Sequence, residues 1–215
     1  EALAELEQQQ ELRAVVLTGA GDRAFVAGAD IAQLQARGAL DALSGINARL
    51  FRRVETLPVP VIAAVRGFAL GGGCELALAC DLRVGGPSTR FAQPEADLGI
   101  IPGAGGTQRL PKIVGLGRAK ELVLLGDRIR GDEAFRIGLL NRYVEDDKIL
   151  DTAIGLARRI AQRGPLAIRL AKLSLNASVG MDADTGALFE SIAQASCFES
   201  ADKNARMQAF LDRDS

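Results

Sequence analysis

Histidine is absent from all 215 residues. That gap removes the Ser-His-Asp and Cys-His pairs through which many nucleophilic enzymes work. Cysteine is scarce, and Cys74, Cys80 and Cys197 form an odd number with no metal-ligand spacing. Without imidazole, three scattered thiols give no zinc site, so no metal is expected. The cysteines read as buried free thiols in a reducing compartment. Charge of one sign is also lacking, with 26 Lys and Arg against 27 Asp and Glu. That balance supplies no electrostatic reason to expect a nucleic acid or an acidic membrane as partner. Long apolar runs are missing too. The longest, 59–65 and 77–80, are far too short to span a bilayer. No charged-then-apolar leader opens the chain, so nothing argues for secretion. The available chemistry is therefore that of carboxylates, backbone amides or an outside cofactor.

What is present is an ordinary globular composition, 48% hydrophobic and 25% charged. The length suits one domain with a real core and room for a helical appendage. The first residue is Glu1 rather than methionine. A removed leader or a longer natural chain is the expectation.

Residues 2–12 read as a helix, and 13–18 (RAVVLT) as a buried strand ended by Gly19 and Gly21. A helix is predicted from about Ile31. Pro58 and Pro60 punctuate the approach to a second buried strand over 61–65 (VIAAV), and a third short strand falls at 82–84. Between these strands, a glycine cluster opens a helix over about 72–80. Strands alternating with helices indicate an α/β arrangement with mainly parallel pairing. Beyond about Asp146 the pattern turns to helix after helix. Leu150, Ala153, Ile154, Ala157 and Ala161 recur at helical spacing, as do Leu166, Leu170, Leu173 and Ala177. Gly164-Pro165 separates these two helices, and two more are predicted near 184–196 and 200–212.

Three segments could carry chemistry. In 69–76 (ALGGGCEL), three glycines at a helix start leave backbone N–H groups unshielded, and a helix N-terminus favours negative charge. An oxygen gaining charge in a transition state could sit there. The plainer reading is that the glycines allow close packing and that Glu75 is an acidic first-turn residue. In 25–31 (FVAGADI), Ala27-Gly28-Ala29 joins a strand to a helix with Asp30 as a plausible N-cap. In 91–110 (FAQPEADLGIIPGAGGTQRL), Glu95 follows Pro94 among apolar residues, and a 102–106 loop can present amides before the next helix. This loop has neither the Lys-Ser/Thr ending of a P-loop nor a dinucleotide-binding glycine pattern.

Taken together, A-G-A-D, then G-F-A-L-G-G-G-C-E-L-A-L-A-C-D, then Q-P-E-x-x-L-G-I-I-P-G-A-G-G-T-Q-R-L resembles the enoyl-CoA hydratase/isomerase (crotonase) superfamily. The resemblance runs from about Leu12 to Arg213 and is nearest to the enoyl-CoA hydratases. It implies an α/β fold, a crotonase-like spiral of ββα turns with a helical C-terminal region. On that basis, residues 1–145 form the spiral catalytic core and 146–215 a helical oligomerisation region packing a homotrimer or hexamer.

The resemblance also implies roles. The backbone amides of Ala29 and Gly72 would polarise a thioester carbonyl as an oxyanion hole. Glu75 and Glu95 would flank the reacting water, which the Gly103 amide would help to hold. Backbone groups of Ala27, Gly28, Ala29, Asp30 and Ile31 would receive coenzyme A, with Arg213 as a basic contact near the C-terminus. The reaction implied is reversible addition of water across C2=C3 of a 2-enoyl-CoA, as in the β-oxidation of fatty acids. No separate cofactor is implied, because coenzyme A is part of the substrate. The compartment would be bacterial cytoplasm, or mitochondrial matrix in a eukaryote.

The sequence departs from the family at three points. The strands that usually precede the first helix are not there, Ala32 stands where many hydratases carry a CoA-binding lysine, and Arg213 replaces the usual C-terminal lysine. The alternatives are enoyl-CoA isomerisation, an acyl-CoA decarboxylase or lyase reaction, an acyl-CoA-binding subunit without turnover, or AU-rich RNA binding as in one branch of the family. Single-base isomerases generally keep the carboxylate at the Glu95 position and lack the other, whereas both are present here. Glu1, Glu5, Glu7 and Glu11 against Arg13 make a poor surface for RNA phosphates.

Overall fold

A computed structural model describes residues 2–212. Its strands are β1 (Val15–Thr18), β2 (Ala24–Val26), β3 (Val61–Val65), β4 (Phe68–Leu70), β5 (Leu82–Gly85), β6 (Arg90–Ala92), β7 (Ile129–Arg130) and β8 (Arg142–Tyr143). Its helices are α1 (Ala2–Gln8), α2 (Ile31–Gln35), α3 (Ala39–Ser44), α4 (Ile46–Thr56), α5 (Gly72–Ala79), α6 (Gly106–Val114), α7 (Leu116–Leu125) and α8 (Gly131–Arg136). Four more close the chain, namely α9 (Ile149–Ala161), α10 (Pro165–Ser178), α11 (Ala183–Phe198) and α12 (Ala201–Leu211).

Strands β1 to β6 alternate between two sheets, β7 stays in the second and β8 returns to the first. One has the order β1-β3-β5-β8 and is wholly parallel, while the other runs β2-β4-β6-β7 with an antiparallel last pair. The chain therefore winds as a spiral in which each turn places one strand in each sheet. Strand β3 explains why the first sheet forms. All five of its residues are buried, and side chains two apart share a face. Ile62 and Ala64 pack with Val84, Ile149 and Ala153 beneath α9, while Val61, Ala63 and Val65 join the larger interior cluster. A strand covered on both faces needs a continuous apolar run, which VIAAV supplies.

Two expected helices are shorter or more broken than the sequence suggests. α1 stops at Gln8 instead of reaching residue 12, because the chain turns to feed β1, where the Val15 N–H donates to Pro60 O at 2.8 Å. The segment after Ile31 is three helices, separated at Gly38 and Gly45, with Gly45 at φ 59° ending α3.

Two buried cations tie elements together. Arg83, 5% exposed, donates to the carbonyls of Ala77, Cys80 and Leu139 and so caps the C-terminal end of α5. Lys172 on α10 donates to Asp81 Oδ2 at 2.7 Å and to Val59 O at 3.0 Å, fastening the helical region to the core. Burial raises the Asp81 pKa above its ordinary value, outweighing the pull of Lys172. Among the described residues, no helix is long and apolar enough to cross a membrane.

Candidate active site

The second sheet positions the site. β2, β4 and β6 are parallel neighbours, with Val26 beside Ala69 and Ala69 beside Phe91. Their C-terminal ends therefore reach one edge, where open α/β sheets gather ligands. Each end delivers one of the three segments singled out above.

After β2 comes the Ala27–Asp30 turn, exposed along its length. Asp30 caps α2, its Oδ1 accepting from the N–H groups of Ala32 at 2.8 Å and Gln33 at 3.3 Å. The capping role expected of Asp30 is thus present, and Ile31 is 57% exposed beside it. After β4, Gly71 adopts φ 52° and donates to Ala92 O at 3.0 Å, locking this turn to the end of β6. Only glycine suits that dihedral, and a Cβ there would also stand 3.1 Å from Glu95 Oε1. Gly72 then opens α5, so its N–H has no intrahelical acceptor. The Ala29 and Gly72 amides lie on adjacent strand ends, and neither donates to another described residue.

Glu75 lies in the first turn of α5 and is only 3% exposed. Its Oε1 accepts the N–H groups of Ala104 at 2.7 Å and Gly106 at 2.8 Å. Gly106 is the first residue of α6, so the carboxylate sits where free amides and the helix dipole favour an anion. Both of these bonds go to Oε1, and Oε2 makes no hydrogen bond to another described residue. The plainer reading of Glu75, a solvated first-turn acid, does not fit this burial.

Glu95 follows β6 in a 3₁₀ turn, Pro94–Leu98. Burial is the chief cause that pushes its pKa up to about 7, and the nearby charge of Glu75 adds to it, while its own backbone amide opposes. Gln93 is 1% exposed. Hydrogen-bond complementarity turns its amide nitrogen toward Glu95, donating to Oε2 at 3.1 Å and Oε1 at 3.2 Å. The arrangement thus holds two buried carboxyl groups, one anchored by amides and one able to carry a proton near neutral pH.

Sequence reasoning missed Gln93, although it stands in the Q-P-E motif, and missed the Ala104 and Gly106 amides. Gly103, expected to help hold a water, is exposed in the same loop and makes no bond to Glu75. Arg213 lies outside the described residues. The thiols are free, and burial drives Cys74 and Cys80 up to about 12, which makes them poor nucleophiles. Cys197 is only half-buried, because it lies on the outer helical layer rather than in the core. Among the described residues, no group of three or more acidic or cysteine side chains could hold a metal.

Comparison with known proteins bears on the family and the fold. The family model described as enoyl-CoA hydratase/isomerase matches residues 1–215. A short-chain-enoyl-CoA hydratase of Clostridium acetobutylicum is 45% identical over 213 residues, covering 98% of this chain and 82% of that protein. A crotonyl-CoA hydratase of Syntrophomonas wolfei is 47% identical over 201 residues, covering 93% and 77%. The crystal structure of an enoyl-CoA hydratase from Bacillus anthracis superposes with a TM-score of 0.94 at 41% identity, covering 99% of this chain and 83% of that one. The chain is an enzyme of the enoyl-CoA hydratase/isomerase family. Its fold is the crotonase spiral expected from the motifs.

Proposed function

We propose that this enzyme is a hydro-lyase that reversibly adds water across C2=C3 of a 2-enoyl-CoA thioester. The observation that carries this reading is the pair of buried carboxyl groups at one sheet edge, with Glu75 anchored through a single oxygen and Glu95 raised to about 7.

The thioester carbonyl lies between the Ala29 and Gly72 amides. As water attacks C3, the π electrons shift through C2 toward the carbonyl oxygen, and the two N–H groups stabilise the charge arriving there. Removing one such donor typically costs about 10²–10³ in rate. Glu75 orients the water through its Oε2 and takes its proton, with the Gly103 amide helping to hold the water. Glu95, protonated in about half of molecules at pH 7 if its pKa is about 7, gives its proton to C2. Dehydration reverses each step.

Backbone groups of residues 27–31 receive the adenine of coenzyme A, and Arg213 adds charge for its phosphates. The chemistry assigned to these residues calls on no separate cofactor. Residues 1–145 form the catalytic spiral and 146–215 the oligomerisation region of a homotrimer or hexamer. In support, Leu175, Leu188, Ile192 and Phe210 are each at least 60% exposed on the closing helices. Bacterial and mitochondrial sources among the relatives suit a bacterial cytoplasm or a mitochondrial matrix.

The test is a panel of 2-enoyl-CoA and 3-enoyl-CoA substrates in ¹⁸O-labelled water, followed by mass spectrometry. Uptake of one labelled oxygen by 2-enoyl-CoA is expected. Migration of the double bond without oxygen uptake would replace this reading with an isomerase.

A further inference from the structure

We propose that Arg109 is a positioning residue for Glu75, acting through the 104–106 loop. This inference rests on Glu75 being the group that activates water.

Ala104 is held from both sides. Its N–H donates to Glu75 Oε1 at 2.7 Å, and its carbonyl accepts from Arg109 Nη1 at 2.8 Å. The carbonyl belongs to the peptide unit joining Ala104 to Gly105. That planar unit lies between the two units whose N–H groups, on Ala104 and Gly106, grip the carboxylate. Fixing its plane therefore sets the aim of both donors. Gly105 takes φ 107°, and a Cβ built on it would fall on Arg109 Nη1, so the guanidinium lies directly against the loop backbone.

The other arm of the guanidinium is fixed too. Arg109 Nη2 pairs with Glu55 Oε2 on α4 at 3.0 Å, and the arginine side chain is 12% exposed. Burial alone would raise the Glu55 pKa, but hydrogen bonds from Arg109 and Arg52, with their charges, hold it below its ordinary value. Glu55 thus stays ionised at neutral pH. A lysine could not span the carbonyl and the carboxylate with one rigid fork. Arg109 Nε is buried with no partner among the described residues.

The experiment uses the full chain and crotonyl-CoA. Arg109→Met should lower kcat about 10–100-fold, the usual scale for losing a group that orients a reacting side chain. KM should stay within about twofold of wild type, because the oxyanion amides and the coenzyme A turn sit on other strand ends. In a Glu75→Gln background the same substitution should cost less than about threefold, since both changes act on one carboxylate. A loss that multiplied fully in that background, or a fall in kcat matched by a risen KM and a lower melting temperature, would reduce Arg109 to a structural tie. Wild-type kcat in folded Arg109→Met would overturn the proposal outright. If Arg109→Met does not fold, Arg109→Lys decides. A several-fold loss of kcat at unchanged KM supports positioning, and full activity overturns it. Absence of hydration by the wild-type chain would instead overturn the proposed function.

Discussion

Glu95 makes the site sensitive to pH in a calculable way. Its pKa is raised from an ordinary 4.5 to about 7, first by burial and then by the charge of Glu75. The productive state of the pair carries one proton, with Glu95 protonated and Glu75 ionised for hydration. Above pH 7 that proton is lost, so kcat/KM should fall about tenfold per pH unit, with about 10% of molecules competent at pH 8 and about 1% at pH 9. Hydration takes up no net proton, and its equilibrium constant does not vary with pH. Dehydration must therefore show the same falling limb, because that direction also needs one proton on the pair. The assay is initial rates in both directions at low substrate concentration and fixed ionic strength. Gln93→Met removes the amide nitrogen that donates to ionised Glu95 and should move the limb to higher pH. A flat profile through pH 9, or a limb surviving in Glu95→Gln, would refute the assignment of the proton to Glu95.

Two other outcomes are expected. Lys172→Met leaves half-buried Asp81 without its cation and should cost about 1–3 kcal/mol in denaturant unfolding, part of it recovered by adding Asp81→Asn; an unchanged midpoint would contradict the tie between α10 and the core. Light scattering at micromolar concentration should return a trimer or hexamer mass, and monomer alone would overturn the role given to the exposed apolar faces of α10–α12.

Three of the four strands of the first sheet were legible, β3 because it is an uninterrupted apolar run, and so were α9 and α10, because their apolar residues keep helical spacing; the two-residue β8 was not. The second sheet was not. Its parallel strands, Ala24–Val26, Phe68–Leu70 and Arg90–Ala92, are three residues long, too short for any periodicity to show. Yet that sheet is what gathers the site, so the meeting of Glu75 with Glu95 came from the motif resemblance and not from pattern. Gln93 was hidden for a related reason. A glutamine beside a proline has no chemical signature until the fold turns its amide onto a carboxylate. The Ala104 and Gly106 donors are backbone groups, whose direction depends on loop dihedrals that side-chain identity only loosely restricts. The breaks at Gly38 and Gly45 were readable in principle, since each glycine interrupts an otherwise helical stretch.

The most direct test of the central claim is the rate of crotonyl-CoA hydration by wild type, Glu75→Gln, Glu95→Gln and the double variant. Glutamine keeps the size and much of the hydrogen bonding but cannot exchange the proton. Each single change should lower turnover about 10²–10⁴-fold, the worth of a positioned acid or base, with folding and coenzyme A affinity little altered. The double variant should lose far less than the product of the single losses, because both groups serve one water. Near-wild-type hydration by Glu75→Gln, with Glu95→Gln abolishing an isomerase activity, would leave Glu75 a first-turn residue and contradict the account.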